Sequence, residues 1–430
     1  MHSLKFGFAD TVITPENPTH VFLDGYGFRM KPAEGIRDDL HAKVMAIVDG
    51  DKVFLLFSLD LIGLRKTSYE LISAQITALT GVPRSQMALT AIHTHAAPAT
   101  GLIDELPIHT DYLAYVGECC GRAALRAIER STPGSFEFAL LPETLHSSYN
   151  RRGRDVIDRS IRAAAFRDTD GVLCGVLCSA SCHAVINTDY TISADYLSVL
   201  NSRSSDDLPY LFLQGRGADV DPKFEGTLTI DEKIEQLGRE LADPVCRMAE
   251  QSTCHAPAVG VPFVQYELVR IPMKPLRDAS GLEAEIKAAE ERYFAYPPTD
   301  IKKHHALRQL QWLRHMLRLV KANETNDITV PLQYLEIPGL CAFAFLPFEV
   351  LTLTGDKLEA LLMRKGFPKE AVYICGYSND VEGYLAPEEE FPFGGYEVSR
   401  ASHWSNISET LPESEKALLD WFWKTVHEAL

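Results

Sequence analysis

Through its first half this chain alternates short, nearly unbroken apolar runs with amphipathic segments of helical period, and that alternation restricts it to an α/β architecture. Residues 54–61 and 87–92 are apolar runs of strand length, and residues 68–79 between them predict a helix. Residues 111–129 predict another helix, with Ser131-Thr132-Pro133-Gly134 as its stop. Residues 162–166 and 172–181, separated by Asp168-Thr169-Asp170-Gly171, predict a hairpin, and residues 210–213 a short buried strand that runs into Gln214-Gly215.

From 281 to 323 the composition shifts to Ala, Glu, Lys, Leu and Arg at helical spacing, broken near Tyr296-Pro297-Pro298, which predicts a helical hairpin inserted between strands. Its basic residues Arg308, Arg314, Arg318 and Lys321 follow acidic Glu283, Glu285, Glu290 and Glu291, the pattern of solvated helices laced by salt bridges, with a lid or a dimer surface as the other reading. Strands resume over 330–345, and Trp421, Phe422, Val426 and Leu430 mark a closing helix. No repeat, low-complexity tract or flexible linker divides the chain, and 46% hydrophobic residues in 430 supply a substantial core. The expectation is one domain spanning 1–430, with mixed β-sheets flanked by helices and a helical insertion at 281–323.

A formal charge of −17 argues against a nucleic-acid surface, which needs clustered Lys and Arg. No run approaches the ~20 apolar residues that span a bilayer, and the first residues lack the pattern of a secretory signal. Nine cysteines without a Cys-x-x-Cys pair read as small buried hydrophobes with free thiols, Cys174, Cys178 and Cys182 in a buried strand and Cys119-Cys120 in a helix. Together these predict a cytoplasmic protein with a small-molecule substrate and no stable membrane insertion, a homo-oligomer being left open.

Candidate chemistry clusters where apolar runs end. Ala91-Ile92-His93-Thr94-His95 follows the strand at 87–92, and strand alternation puts His93 and His95 on one face, as a metal or catalytic anchor or as a hydrogen-bonded pair holding a turn. His183 follows a second apolar run and reads as a ligand or as a buried structural imidazole. The loop Gln214-Gly215-Arg216-Gly217-Ala218-Asp219-Val220-Asp221-Pro222 lacks the Gly-Lys-Ser/Thr close of a phosphate loop, and its two carboxylates suit a cation or general-base work. Glu349 ends the run Phe343–Phe348 as a metal ligand or as a helix-start acid, and Tyr384 lies in the turn-rich stretch 376–387.

In their order along the chain these segments resemble the neutral ceramidase family, zinc-dependent amidases that cleave the N-acyl bond of sphingolipids. The resemblance runs from about residue 5 to residue 400 and rests on Gly25-Tyr26-Gly27, Gly35-Ile36-Arg37-Asp38, Ile92-His93-Thr94-His95 with Pro98, Asn150-Arg151, His183, and Ser193-Ala194-Asp195-Tyr196. It implies a Zn2+ site made by His93, His183, Glu349 and Tyr384, with His95 and Arg151 facing the substrate carbonyl. Nitrogen and oxygen donors suit zinc, and zinc-bound water ionises near neutral pH, supplying the nucleophile.

The chain departs from the family in two respects. The family's Asn-x-Gly-Asp-Val-Ser-Pro loop carries an essential serine where this sequence has Asp221, and an anionic acceptor cannot replace a hydroxyl. Asp221 then serves as a general base, binds substrate hydroxyls, or caps the turn before Pro222. The family's secreted members also append an immunoglobulin-like domain and begin with a signal sequence, neither of which is read here. The expectation is a zinc hydrolase acting on an amide, ester or lactone of a soluble metabolite rather than a true ceramidase. A metal-assisted lyase or isomerase with Asp221 as base, and a non-catalytic binding protein, are the alternatives.

Overall fold

The computed structural model describes residues 3–428 except 30, 103–105, 254–256 and 298–299. Its centre is an eight-stranded mixed sheet ordered, edge to edge, Tyr210–Gln214, Leu173–Ala180, Ile161–Asp168, Thr132–Leu141, Lys5–Val12, His41–Asp49, Lys52–Leu59 and Met87–Ala91. Neighbours pair antiparallel except at the two edges, where Tyr210–Gln214 runs parallel to Leu173–Ala180 and Met87–Ala91 parallel to Lys52–Leu59.

Period-two alternation divides each strand between two cores. Phe6, Phe8, Met45, Ile47, Phe54 and Leu56 face a second, four-stranded sheet, packing on Leu335, Ile337, Phe343, Phe345 and Tyr373. Their sequence neighbours Ala9, Val44, Ala46, Leu55, Phe57 and Leu59 face helices Lys66–Thr80, Thr110–Glu129 and Ile230–Gln251. A strand buried on both faces has no polar side, which is why these segments read as continuous apolar runs. The four-stranded sheet, ordered Phe263–Ile271, Ile328–Ile337, Cys341–Phe345 and Val372–Cys375, is covered on its far face by helices Thr352–Lys365 and Pro412–Glu428. The result is four layers, helix, sheet, sheet and helix, the mixed α/β arrangement expected.

The insertion is present as helices Ala279–Ala295 and Ile301–Ala322, each with an aspartate N-cap, Asp278 and Asp300. It interrupts a hairpin whose strands stay paired from Phe263↔Glu336 to Ile271↔Ile328, and it carries its own small core around Leu282, Leu310, Trp312 and Met316. Arg314–Glu290 and Lys321–Glu283 form the expected interhelical ion pairs.

Some local expectations are corrected. Thr132 and Pro133 do not form a stop; they already pair with Phe6 and Lys5 at the start of a strand, where proline loses nothing by lacking an N–H. Arg308 is not on a solvated face but buried, its guanidinium donating to the carbonyls of His403 and Trp404. Cys119 and Cys174 are only half-buried, though every described cysteine is a free thiol. Cys254, Pro298 and Leu430 lie outside the described residues. Among the described residues no helix is long and apolar enough to cross a membrane.

Candidate metal centre

Strand Met87–Ala91 stops two residues short of His93, whose φ of 64° lies in the left-handed region. The expectation that the pleat aligns His93 with His95 is therefore corrected: a constrained turn does it. That turn is over-determined, with His93 N donating to Leu61 O at 3.0 Å and its Nδ1 lying 2.6 Å from Ile62 O. His183 stands three residues beyond Leu173–Ala180, its N donating to Val220 O at 2.9 Å and its Nδ1 2.6 Å from Gly217 O. Glu349 opens the two-residue strand Glu349–Val350, which pairs parallel with Tyr384–Leu385 and sets Glu349 directly beside Tyr384.

These turns bring the side chains to one point. His93 Nε2 and His95 Nε2 are 3.0 Å apart, Glu349 Oε2 is 3.4 Å from Nε2 of both His93 and His183, and Tyr384 Oη is 3.4 Å from His183 Nε2. Ligand-capable nitrogens of His93, His95 and His183 all lie within 4.8 Å of one another. His93 and His183 are 1% exposed.

Protonation follows from the partners. A carbonyl only accepts, so Nδ1 of His93 and of His183 carries the proton and each Nε2 presents a bare lone pair. Burial pushes His93, and His95 further, away from the protonated form. Glu349 Oε2 is buried without a hydrogen-bond donor. Lone pairs thus face an anionic oxygen at 3.4 Å with no proton between them, an arrangement that a bound cation resolves. The donor set fits a divalent ion.

Arg151 stands behind Tyr384. It donates from Nη2 to Tyr384 Oη at 2.9 Å, from Nε to Glu397 at 2.9 Å and from Nη1 to Asp221 at 3.2 Å. Asp221 sits in the short strand Val220–Pro222 opposite Tyr149, so it caps no turn before Pro222; its carboxylate is directed at Arg151 and does not line the cleft. Asp219 is a lashing point, accepting from Thr352 N and Oγ1 and from Asn150 Nδ2. Glu349 is no helix-start acid, since the following helix begins at Thr352 and the carboxylate turns to the imidazoles.

The structure adds supports whose roles sequence reasoning did not assign. Tyr377 stacks on His93 with centroids 4.1 Å apart, Tyr26 meets His95 edge-on at 5.2 Å, and Arg29 donates to the carbonyls of His95 and Asn187. Glu397 salt-bridges both Arg151 and Arg152 from a segment with no periodic signal. His93, His95, Glu349 and Tyr384 lie at the base of a cleft of about 600 Å³, walled by Tyr26, Phe28, Leu102 and Trp404 and by Tyr296, Ile301 and Ala306 of the helical hairpin.

No protein-family model matches this sequence, and no curated protein matches it. Its fold is similar to that of neutral ceramidase from Pseudomonas aeruginosa, with a TM-score of 0.75 and 18% identity over 99% of this chain and 74% of that one. It is likewise similar to a ceramidase complexed with C2, with a TM-score of 0.74 and 17% identity over 100% of this chain and 76% of that one. The chain has the neutral-ceramidase fold.

Proposed function

We propose that this protein is a metal-dependent hydrolase that opens an amide, ester or lactone bond of a soluble metabolite. The observation that carries this reading is the convergence of Nε2 of His93 and of His183, each with its Nδ1 held against a backbone carbonyl, on the unpartnered buried oxygen of Glu349. Those three residues with Tyr384 would hold the ion, and two nitrogens with two oxygens favour zinc. A divalent ion held there would supply water with a pKa near neutrality and a Lewis acid for the substrate carbonyl.

The chain's own residues do the rest. Tyr26, Phe28 and Trp404 exclude water around the substrate and orient it in the cleft. His95, at the cleft base, stabilises negative charge developing on the carbonyl oxygen, a role typically worth about 3 kcal/mol per donor, while Arg151, which does not line the cleft, holds Tyr384 from behind. Asp221 acts through Arg151: the two carboxylates Asp221 and Glu397 grip the guanidinium from different nitrogens and set its direction. With an anion where the family has its serine, ceramide itself is not the expected substrate.

A screen of soluble amides, esters and lactones in heavy-oxygen water tests the proposal. Solvent oxygen in a product, abolished by a chelator and restored by zinc, supports it. Turnover without solvent oxygen indicates elimination or isomerisation instead, and stoichiometric metal without turnover on any substrate class indicates a binding protein.

A further inference from the structure

We propose that Arg216 is a positioning residue of the metal centre: held by carboxylates from both layers of the fold, it sets the Gly217 carbonyl that orients His183. This rests on the reading of the site as a metal centre. The ligands come from different layers, His183 after a strand of the eight-stranded sheet and Glu349 after Cys341–Phe345 of the four-stranded one. The loop 214–222 joins them. On one side Gly217 O lies 2.6 Å from His183 Nδ1, and Val220 O accepts from His183 N at 2.9 Å. On the other, Ala218 N donates at 3.0 Å to the carbonyl of Val350, the residue after Glu349.

Arg216 ties this loop down from within. It is 3% exposed, and its Nη2 donates to Asp158 Oδ2 at 2.7 Å and to Glu359 Oε2 at 3.0 Å, while Nη1 lies 3.3 Å from Asp356. Asp158 stands just before strand Ile161–Asp168 of the large sheet; Asp356 and Glu359 are on helix Thr352–Lys365, which packs on the small one. A single guanidinium therefore spans the seam between the layers that supply the ligands. The fit is close: a Cβ on Gly355 of that helix would fall 2.2 Å from Arg216 Cδ, and a Cβ on Gly217 would fall 3.1 Å from Cys182 N. Gly217 follows Arg216 in the chain and lies against the His183 segment, so a shift of Arg216 is passed to the carbonyl that orients the imidazole. Partners that orient a ligating histidine commonly govern metal affinity by about 10–100-fold. Arg162 supplies the comparison, since it donates to the same two oxygens, Asp158 Oδ2 and Glu359 Oε2, from a strand and not from the loop.

The test compares the full chain with Arg216→Met, Arg162→Met and Gly355→Ala in three measurements: zinc affinity by competition with a chelating indicator, the visible spectrum of the cobalt(II)-loaded protein, and the urea midpoint. Arg216→Met is expected to bind zinc about 10–100-fold more weakly and to change the cobalt spectrum. Arg162→Met takes a cation from the same two oxygens and is expected to lower the urea midpoint comparably, with zinc affinity within about threefold of the parent and an unchanged spectrum. Gly355→Ala keeps every charge and improves helix propensity while displacing Arg216, so it reads the same effect should Arg216→Met fail to fold; about tenfold weaker zinc binding is expected. Parental affinity in a folded Arg216→Met or in Gly355→Ala, or an equal loss of affinity in Arg162→Met, overturns the proposal and leaves the metal centre standing. A parent that takes up no zinc ends the metal reading and the proposal with it. No arm depends on turnover, so the choice of substrate does not enter.

Discussion

Gly25 lies flat against the ring of His95: a Cβ placed on it would fall 2.5 Å from His95 Cγ, and its φ of 102° belongs to a region that side chains rarely adopt. Gly25→Ala must therefore strain the backbone or push the imidazole. The expected cost is about 1–3 kcal/mol in urea unfolding, with turnover lowered about 100-fold by displacement of His95. Gly35→Ala, where nothing lies within 4 Å, is expected to change neither measurably. Equal effects in the two variants would remove His95 placement from the account.

Tyr377 supports His93 by its ring and not by its hydroxyl, which is buried without a partner. Tyr377→Phe is expected to leave stability within about 0.5 kcal/mol of the parent, or to raise it, since no hydrogen bond is lost. Tyr377→Ala removes the stacked ring and is expected to cost about 3–5 kcal/mol and to weaken metal binding. Chemical denaturation and a metal-indicator titration check both.

Asp221→Ser takes one carboxylate from Arg151, leaving Glu397 and Tyr384 still bound to the guanidinium. Metal content is expected to stay unchanged, while kcat/KM shifts by about tenfold and not equally for all substrates. Loss of the metal in this variant would make Asp221 a ligand and contradict its role as a positioning residue.

His403 packs against Trp312 with centroids 4.5 Å apart, and burial pushes its imidazole down to about 4. In the unfolded chain it titrates near the ordinary value of about 6.5, so between those values the unfolded state takes up the proton and the folded state does not. Its contribution to stability is thus full above about pH 6.5 and is lost as the pH falls toward 4, by at most about 3 kcal/mol. His403→Gln is expected to flatten the acid limb of unfolding free energy against pH over that window. A limb of unchanged slope would contradict the assignment.

Much of this fold is legible in the chain because strands buried on both faces, such as Lys52–Leu59 and Leu173–Ala180, leave unbroken apolar runs, and because the hairpin at Ala279–Ala322 keeps a helical period. The site is legible where chemistry-bearing residues end those runs, as His93, His183 and Glu349 do. What is hidden depends on backbone turns and distant partners. The left-handed turn at His93 cannot be told from a continuing strand by alternation alone, because two residues of strand and this turn both return the ring to the same side. Glu397 reaches Arg151 across 246 positions from a segment without period, and nothing in the sequence around Asp221 announces the guanidinium that donates to it. The buried position of Arg308 escapes notice for the same reason: beside Gln311 on its own helix, its guanidinium donates to the distant carbonyls of His403 and Trp404.

The measurement that bears most directly on the central claim is elemental analysis of the purified full chain beside His93→Ala and His183→Ala, each verified as folded by circular dichroism. The account predicts about one divalent ion per chain in the parent and its loss in both variants, since each supplies a proton-free Nε2 to the site. Equal metal content in all three proteins, or a folded parent that takes up no zinc when it is offered, would contradict it.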